Sequence, residues 1–258
     1  SIHDFSKQEL LFILKTAKLM EKNSNPNLLK DSVLATLFFE PSTRTRLSFM
    51  SAMEQLSGKV MGFATSGVTS IRKGETLWDT IKMVESYADA IVIRHHLEGS
   101  ARLAAEASSK PVINAGDGAN QHPTQTMLDL YTIQKVKGKL DGLNIGLLGD
   151  LKYGRTVHSL ATALSHFNPT FYFIAPQALQ MPQTYLDELK EKKIKFYAES
   201  NLLKVSKKLD VLYVTRIQKE RFPDPVEYEK YKGVYKLDTS LLPNIKKDLK
   251  IMHPLPRV

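Results

Sequence analysis

The chain has 258 residues, and its apolar fraction of 42% and charged fraction of 24% are those of a soluble globular protein with room for two modest domains. This composition argues against a disordered chain, a fibre or a bundle of membrane helices. The chain has no cysteine, which excludes disulfides and thiolate metal sites, and its net charge of +9 favours anionic ligands.

Short apolar segments alternate with helix-like segments along the whole chain, and this alternation predicts an α/β fold. Because the strand segments are almost continuously apolar, we expect parallel sheets that helices cover on both faces. The predicted strands, in chain order, are residues 33–40, 59–64, 90–94, 111–114, 144–150, 170–175, 195–198, 211–216 and 250–252.

The series of strands is interrupted at residues 116–120, a cluster of Gly, Asp and Asn, and a helical pattern follows over 124–136. We therefore predict an N-terminal domain over 1–121, a connecting helix over 122–137 and a C-terminal domain over 138–258. The predicted architecture is two doubly wound parallel-sheet domains with the active site in the cleft between them, because ligands of open α/β sheets bind beyond the carboxyl ends of the strands.

The first predicted strand runs directly into residues 41–46, with the sequence PSTRTR, at the start of a helix. Hydroxyl and backbone N–H groups at a helix N-terminus favour an oxyanion. An ordinary Ser or Thr cap would also explain the hydroxyls. Arg44 and Arg46, however, lie where the helix dipole disfavours cations, and a bound phosphate or a paired carboxylate would remove that penalty. The segment therefore indicates an anion site.

Other strand ends and one loop carry further candidate residues. They are Arg94, Arg155, Arg216, His253 and, around the connecting helix, His122 and Gln125. Each arginine alone is as readily explained by a surface ion pair, but together they predict a basic cleft. No histidine pair has metal-ligand spacing with carboxylates, and the glycines at 146 and 149 lack the dinucleotide-binding spacing, so we predict neither a metal nor a nicotinamide cofactor.

Seven motifs, in order along the chain, resemble the aspartate/ornithine carbamoyltransferase family and within it the aspartate branch. They are residues 39–46, 73–76, 94–95, 122–126, 149–156, 215–221 and 253–257. The resemblance implies transfer of a carbamoyl group from carbamoyl phosphate to the amine of L-aspartate, giving N-carbamoyl-L-aspartate and phosphate, in de novo pyrimidine biosynthesis. It implies an enzyme without a cofactor.

The resemblance also implies the residues of the site. Carbamoyl phosphate would be bound by Ser42, Thr43, Arg44, Thr45, Arg94, His122 and Gln125, with Ser70 and Lys73 supplied by a neighbouring subunit. L-Aspartate would be bound by Arg155, Arg216, Gln218 and the backbone carbonyls of Leu255 and Pro256. An ionic link between the domains would join Glu40, Arg155 and Arg221.

The implied chemistry needs no nucleophilic side chain, because the substrate amine itself attacks the carbamoyl carbon. Positioning and electrostatics then carry the rate. Negative charge that grows on the carbonyl oxygen would be met by Arg94, His122 and Thr45. The leaving phosphate would be stabilised by Lys73 and Arg44, and phosphate itself is a candidate acceptor for the amine proton.

The resemblance implies a homotrimer with shared active sites, and regulatory subunits are a further potential partner. We expect a cytoplasmic protein that binds no membrane, since no apolar run or signal segment is present. Nucleic acid is the alternative reading of the positive charge, but no zinc finger, basic zipper helix or RNA-binding strand supports it.

Two features depart from the family pattern. Ser70 and Lys73 are three residues apart, one fewer than in some relatives, which bears on the choice of serine. The chain stops at Val258, whereas the family continues with a helix that packs back on the first domain, so we expect sequence beyond this point to have been removed. A chain that truly ended there would have weak activity or none.

Two other functions remain open from the sequence. An ornithine carbamoyltransferase would share the phosphate loop but carry a Ser-Met-Gly loop and a cysteine in the last motif, and this chain has neither. A catalytically silent binding or regulatory subunit is the reading from another class. A phosphate-release assay with both substrates separates a silent subunit from an enzyme.

Overall fold

The structure is a computed structural model of the chain. It describes residues 1–23, 25–65, 73–218, 225–231 and 233–257. The chain forms two compact units, His3–Thr124 and Gln125–Val258.

Each unit alternates strands and helices. The strands are β1 (Val33–Phe38), β2 (Lys59–Phe63), β3 (Ala90–His95), β4 (Val112–Asp117), β5 (Asn144–Leu148), β6 (Thr170–Ile174), β7 (Lys195–Glu199), β8 (Val211–Val214) and β9 (Lys250–Met252). The helices are α1 (Lys7–Lys22), α2 (Thr43–Gln55), α3 (Leu77–Val84), α4 (Ser100–Ala107), α5 (Pro123–Lys137), α6 (Arg155–Leu164), α7 (Gln183–Glu191) and α8 (Pro225–Tyr231). Within the described part of the chain, none of these helices has the length and apolar content to cross a lipid bilayer.

The first unit is built on a parallel sheet with strand order β2-β1-β3-β4. Successive side chains of β1 point to opposite faces. Leu37 packs with Ile81 of α3 and the buried alanines of α4 on one face, and Phe38 packs with Met53 of α2 on the other. Both faces are therefore apolar, which explains why this strand reads as a continuous apolar run.

The second unit contains a parallel sheet with strand order β7-β6-β5-β8-β9. The chain runs outward from β5 to β7 and then returns to β8, on the other side of β5. The first sheet reverses in the same way between β1 and β3. The prediction of two doubly wound parallel-sheet α/β domains is thus confirmed, and in each sheet the direction reverses at a point where ligands commonly bind.

Several strand ends differ from the sequence prediction. The strands predicted over 33–40 and 211–216 end at Phe38 and Val214, where the paired register with the neighbouring strand stops. The strand predicted over 111–114 begins one residue later and extends to Asp117, which pairs with His95. The Gly- and Asp-containing segment at 116–117 is thus the end of β4, where periodicity alone indicated a break.

Candidate functional site

Arg94 is held at the carboxyl edge of the first sheet by groups from both neighbouring strands. It pairs with Phe38 in the β1–β3 register. Its Nη2 lies 3.2 Å from Glu40 Oε1, just beyond β1, and its Nη1 donates to the carbonyl oxygen of Ala115 in β4 at 3.3 Å. The Arg94 side chain is only 12% exposed. The guanidinium is therefore fixed by tertiary contacts and differs from the surface ion pair that a strand end alone would suggest.

The PSTRTR segment forms the start of α2, as its sequence predicts. Ser42 is the N-cap residue with an extended backbone, but its side chain makes no capping hydrogen bond. The first turn contains no acidic residue, while Arg44 is exposed and Thr45 is partly buried. Arg46 Nε is buried without a hydrogen-bond partner among the described residues. Uncapped amides and uncompensated cations at one helix N-terminus suit an anion.

The loop before His122 is organised by the carboxylate of Asp117, which is 2% exposed. Its two oxygens accept hydrogen bonds from the backbone N–H groups of Gly99 and Gln121 and from the side-chain amides of Asn114 and Asn120, at 2.9–3.3 Å. His122 follows directly and is buried. Asp117 therefore fixes the backbone that presents His122, a role that sequence analysis missed.

Gln125 lies in the first turn of α5 and is tied to a buried carboxylate one turn further along. Its Nε2 donates to Asp129 Oδ1 at 3.0 Å, and the hydroxyl of Tyr213 in β8 donates to Asp129 Oδ2 at 2.8 Å. Burial raises the pKa of Asp129 to about 7, although both hydrogen bonds act to lower it. Burial, then the charge of Asp129, raises the pKa of Tyr213 well above its usual value. The sequence signal for this pair is the four-residue helical spacing of Gln125 and Asp129.

The fully buried carboxylate of Asp150 ties together two loops at the carboxyl edge of the second sheet. It accepts hydrogen bonds from the backbone N–H of Tyr153 at 2.9 Å and from that of Gln218 at 3.3 Å. The Gln218 side chain in turn donates to the carbonyl oxygen of Tyr153 at 3.2 Å. Arg155 begins α6 two residues later and is 8% exposed. Gln218 is therefore held against the turn that carries Arg155.

The close approach of these loops depends on Gly149, which follows β5. Gly149 has a φ of 120°, and a Cβ at this position would collide with the carbonyl oxygen of Thr215, which follows β8. Thr215 Oγ1 also accepts a hydrogen bond from the backbone N–H of Asp150 at 3.1 Å. The two loops thus approach each other at a distance that only glycine permits.

Arg216 and the last motif lie at the ends of the neighbouring strands β8 and β9. Burial, followed by the positive charges of Arg257 and Arg216, lowers the pKa of His253. His253 Nδ1 accepts a hydrogen bond from the backbone N–H of Leu255 at 2.8 Å. The Leu255–Pro256 peptide bond is cis, and the Leu255 side chain is half exposed. Arg216 and Arg257 therefore lie close enough to His253 to disfavour its charged form.

The structure places the candidate residues in two groups, one in each unit. The first unit carries Ser42, Thr43, Arg44, Thr45, Lys73, Arg94 and His122, and the second carries Gln125, Arg155, Arg216, Gln218, Leu255 and Pro256. Lys73 is exposed before α3 and makes no side-chain hydrogen bond or ion pair with another described residue. Ser70 and Arg221, from the sequence prediction, lie outside the described residues.

Each half of the chain matches the model of a known domain family. Residues 1–135 match "Aspartate/ornithine carbamoyltransferase, carbamoyl-P binding domain". Residues 141–258 match "Aspartate/ornithine carbamoyltransferase, Asp/Orn binding domain". The two matches together cover nearly the whole chain, in the order in which the two groups of candidate residues occur.

Similar proteins and solved structures give the same result. The chain is 60% identical to the aspartate carbamoyltransferase catalytic subunit of Thermococcus kodakarensis, over 100% of this chain and 84% of that relative. It is 54% identical to the catalytic subunit of M. jannaschii aspartate transcarbamoylase, with a TM-score of 0.90 over 100% of this chain and 85% of the other. For Trypanosoma cruzi aspartate transcarbamoylase in complex with carbamoyl phosphate and aspartate, the identity is 39% and the TM-score 0.94, with coverages of 100% and 85%.

Proposed function

Because the chain belongs to the aspartate/ornithine carbamoyltransferase family, we propose that it transfers the carbamoyl group of carbamoyl phosphate to L-aspartate in de novo pyrimidine biosynthesis. The products are N-carbamoyl-L-aspartate and phosphate. Carbamoyl phosphate binds to the domain over 1–121 and L-aspartate to the domain over 138–258, and residues 122–137 connect them. The names of the similar catalytic subunits support the aspartate branch over the ornithine branch.

Within the structure, the observation that carries the choice of acceptor is the second cationic group. Arg155 and Arg216 follow the adjacent strands β5 and β8, and the buried carboxylate of Asp150 holds Gln218 against the turn before Arg155. Two guanidinium groups suit the two carboxylates of aspartate, because each can bind a carboxylate through two parallel hydrogen bonds. The cationic side chain of ornithine would be repelled by the same arrangement.

The phosphate of the donor binds at the N-terminus of α2. Ser42, Thr43 and Thr45 supply hydroxyl and backbone N–H groups, and Arg44 supplies a cation. The hydroxyl of Ser42 is not used as a helix cap, which leaves it available for a ligand. An anion here is favoured by the free amides of the first helical turn and by the dipole.

The carbamoyl end of the donor lies against Arg94, His122 and Gln125. Arg94 and His122, with the hydroxyl of Thr45, stabilise the negative charge that develops on the carbonyl oxygen, and their fixed positions minimise reorganisation in the transition state. Arg94 is fixed by Glu40 and Ala115. The network of hydrogen bonds to Asp117 fixes the loop before His122 in a comparable way.

The reaction is a direct displacement at the carbamoyl carbon. The backbone carbonyls of Leu255 and Pro256 accept hydrogen bonds from the aspartate amine. The amine then forms the new C–N bond. The C–O bond to phosphate then breaks, and the amine proton passes to the leaving phosphate. Arg44 and Lys73 stabilise that phosphate, so the protein contributes orientation and charge stabilisation.

The site is shared between subunits in this proposal. Lys73, with Ser70 before it, acts on the site of a neighbouring copy in a homotrimer, and regulatory subunits are further partners of that assembly. The exposed Lys73 side chain, which makes no hydrogen bond or ion pair with another described residue, supports a role outside its own strand-end cluster. A cytoplasmic location is part of this proposal.

Measurement of product formation tests the proposed function. The protein is incubated with carbamoyl phosphate and either L-aspartate or L-ornithine, and phosphate and the carbamoylated amino acid are quantified together. We expect equal amounts of phosphate and N-carbamoyl-L-aspartate, with ornithine giving no more than the background hydrolysis. Product formation with ornithine but not with aspartate would assign the chain to the ornithine branch. Release of no phosphate from either mixture would indicate a catalytically silent subunit.

A further inference from the structure

The Gln125 amide makes its hydrogen bond to a carboxyl group that does not itself contact the reacting atoms in the proposed function. Asp129 lies one helical turn further along α5 and is 4% exposed. Its Oδ1 faces the amide nitrogen of Gln125 at 3.0 Å. The ionised carboxylate, which prevails above its pKa of about 7, can only accept hydrogen bonds, so in that form the contact requires the amide nitrogen of Gln125 to point toward Asp129.

The other carboxylate oxygen of Asp129 is also occupied. Oδ2 accepts a hydrogen bond from the hydroxyl of Tyr213 at 2.8 Å, and Tyr213 is fully buried in β8. Tyr213 in turn has a hydrogen bond with the side chain of Thr156, the residue after Arg155. Asp129 is thus anchored to the sheet on one side and orients Gln125 on the other.

The orientation of the amide decides what Gln125 offers to a ligand. With Nε2 committed to Asp129, the carbonyl oxygen Oε1 is the atom directed away from it, and Oε1 is an acceptor. The carbamoyl group carries an NH₂ group with two donors beside its carbonyl oxygen. If Gln125 presented its own NH₂ group instead, that hydrogen-bond donor would face the NH₂ donor of the carbamoyl group.

We propose that Asp129 is a positioning residue that fixes the amide of Gln125 with Oε1 toward the substrate, and that this makes the site selective for a carbamoyl over an acetyl donor. The inference rests on the proposed function, because it assigns the selectivity of that same site. Acetyl phosphate is the matched probe, since it has the same phosphate and carbonyl groups but a methyl group in place of NH₂. The methyl group donates no hydrogen bond, so its transfer does not depend on the orientation of Gln125.

The test compares kcat/KM for carbamoyl phosphate with kcat/KM for acetyl phosphate at pH 8, above the pKa of Asp129, with L-aspartate as acceptor and phosphate release as the signal. Asp129→Asn keeps the shape of the side chain and its acceptor for Tyr213, but offers an NH₂ group to Gln125 and so reverses the amide. We expect the ratio of the two kcat/KM values to fall roughly 10- to 100-fold, the effect of one lost and one unpaired hydrogen-bonding group. Asp129→Ala, which removes the acceptor without supplying a donor, should lower the ratio by a smaller factor.

Two further variants separate positioning from general support of the fold. Tyr213→Phe removes the other hydrogen bond to Asp129 and leaves the contact with Gln125, so it should lower stability while the ratio stays at the wild-type value. Gln125→Ala should lower the ratio by itself. In that background, Asp129→Asn should have no additional effect on the ratio, because the amide that it orients is absent.

The outcomes are distinct. If folded Asp129→Asn and Asp129→Ala both keep the wild-type ratio, or if Asp129→Asn lowers the ratio equally with and without Gln125, the positioning role is wrong while the proposed function stands. If the wild-type protein releases phosphate from neither donor, the proposed function itself fails, and this inference fails with it.

Discussion

The carboxylate of Asp150 accepts a hydrogen bond from the backbone N–H of Gln218, 68 positions later in the chain, at 3.3 Å. The same carboxylate accepts from the N–H of Tyr153 in the turn before Arg155. A single buried side chain therefore sets the relative position of two loops to which we assign aspartate binding.

Removal of that carboxylate should disturb aspartate binding. Asp150→Ala leaves two backbone N–H groups without their acceptor, and we expect a loss of roughly 2 to 5 kcal/mol in the free energy of unfolding. The KM for aspartate should rise by about tenfold or more, because Gln218 is no longer held in place. Urea unfolding and steady-state kinetics measure the two effects. Asp187→Ala, which removes an exposed ion pair with Lys190, is the control and should change neither by much.

The two arginine groups should respond to substitution in different ways. Arg216→Ala should leave carbamoyl phosphate binding nearly intact but abolish saturation by aspartate and strongly reduce turnover. Arg44→Ala should reduce turnover even at saturating aspartate, through loss of about 2 to 4 kcal/mol of stabilisation of the phosphate. Calorimetry with carbamoyl phosphate and aspartate saturation curves measure both. If Arg216→Ala and Arg44→Ala weakened carbamoyl phosphate binding equally and left aspartate saturation unchanged, the assignment of two separate pockets would be wrong.

Complementation can test whether the site is shared. Lys73→Ala and Arg94→Ala should each be nearly inactive as pure proteins. If Lys73 acts on a neighbour's site, subunits of the two variants that are dissociated and reassembled together should regain about a quarter of wild-type activity, the chance that a site combines both native residues. Light scattering should give the mass of a trimer or a multiple of one. An active monomer, or a mixture that regains no activity, would rule out the shared site.

The elevated pKa of Asp129, about 7, predicts a dependence of stability on pH. In the unfolded chain this carboxyl group has a pKa of about 3.9, so between that pH and pH 7 the folded protein binds more protons at this group than the unfolded chain. Its contribution to the free energy of unfolding must therefore fall as pH rises over this range. Urea unfolding of wild type and Asp129→Asn at pH 5 and pH 8 isolates the effect. The free energy of unfolding of the variant, relative to that of wild type, should be higher at pH 8 than at pH 5. If this difference is the same at both pH values, Asp129 is already ionised at pH 5.

The positions of the strands could be predicted well because burial on both faces leaves a continuous apolar run, as in β1. The ends of the strands could not, since hydrogen-bond pairing with a neighbour decides where a strand stops. The place of Arg94 at the end of a strand can be predicted from the sequence, because Arg94 directly follows the apolar run Ile91-Val92-Ile93. Its partner Glu40 lies just after β1 and its partner Ala115 lies in β4, and only the register of the sheet brings them together.

The three organising carboxylates illustrate what sequence patterns leave undetermined. Asp117 accepts a hydrogen bond from the backbone N–H of Gly99, 18 positions away, and Asp129 accepts one from Tyr213, 84 positions away. Asp150 lies inside a motif that resembles the family, yet its role depends on backbone N–H groups, which carry no sequence signature. Such roles follow from tertiary packing.

Gly149 allows the loops after β5 and β8 to approach within a distance that excludes any side chain. Every amino-acid replacement at this position introduces a Cβ that collides with Thr215. A glycine codon changes its amino acid on any substitution at its first two bases, so this one position offers many independent routes to a damaging allele. In a genetic screen for strains that require added pyrimidine, we expect repeated mutations in codon 149, although glycine has no side chain that could contact a substrate.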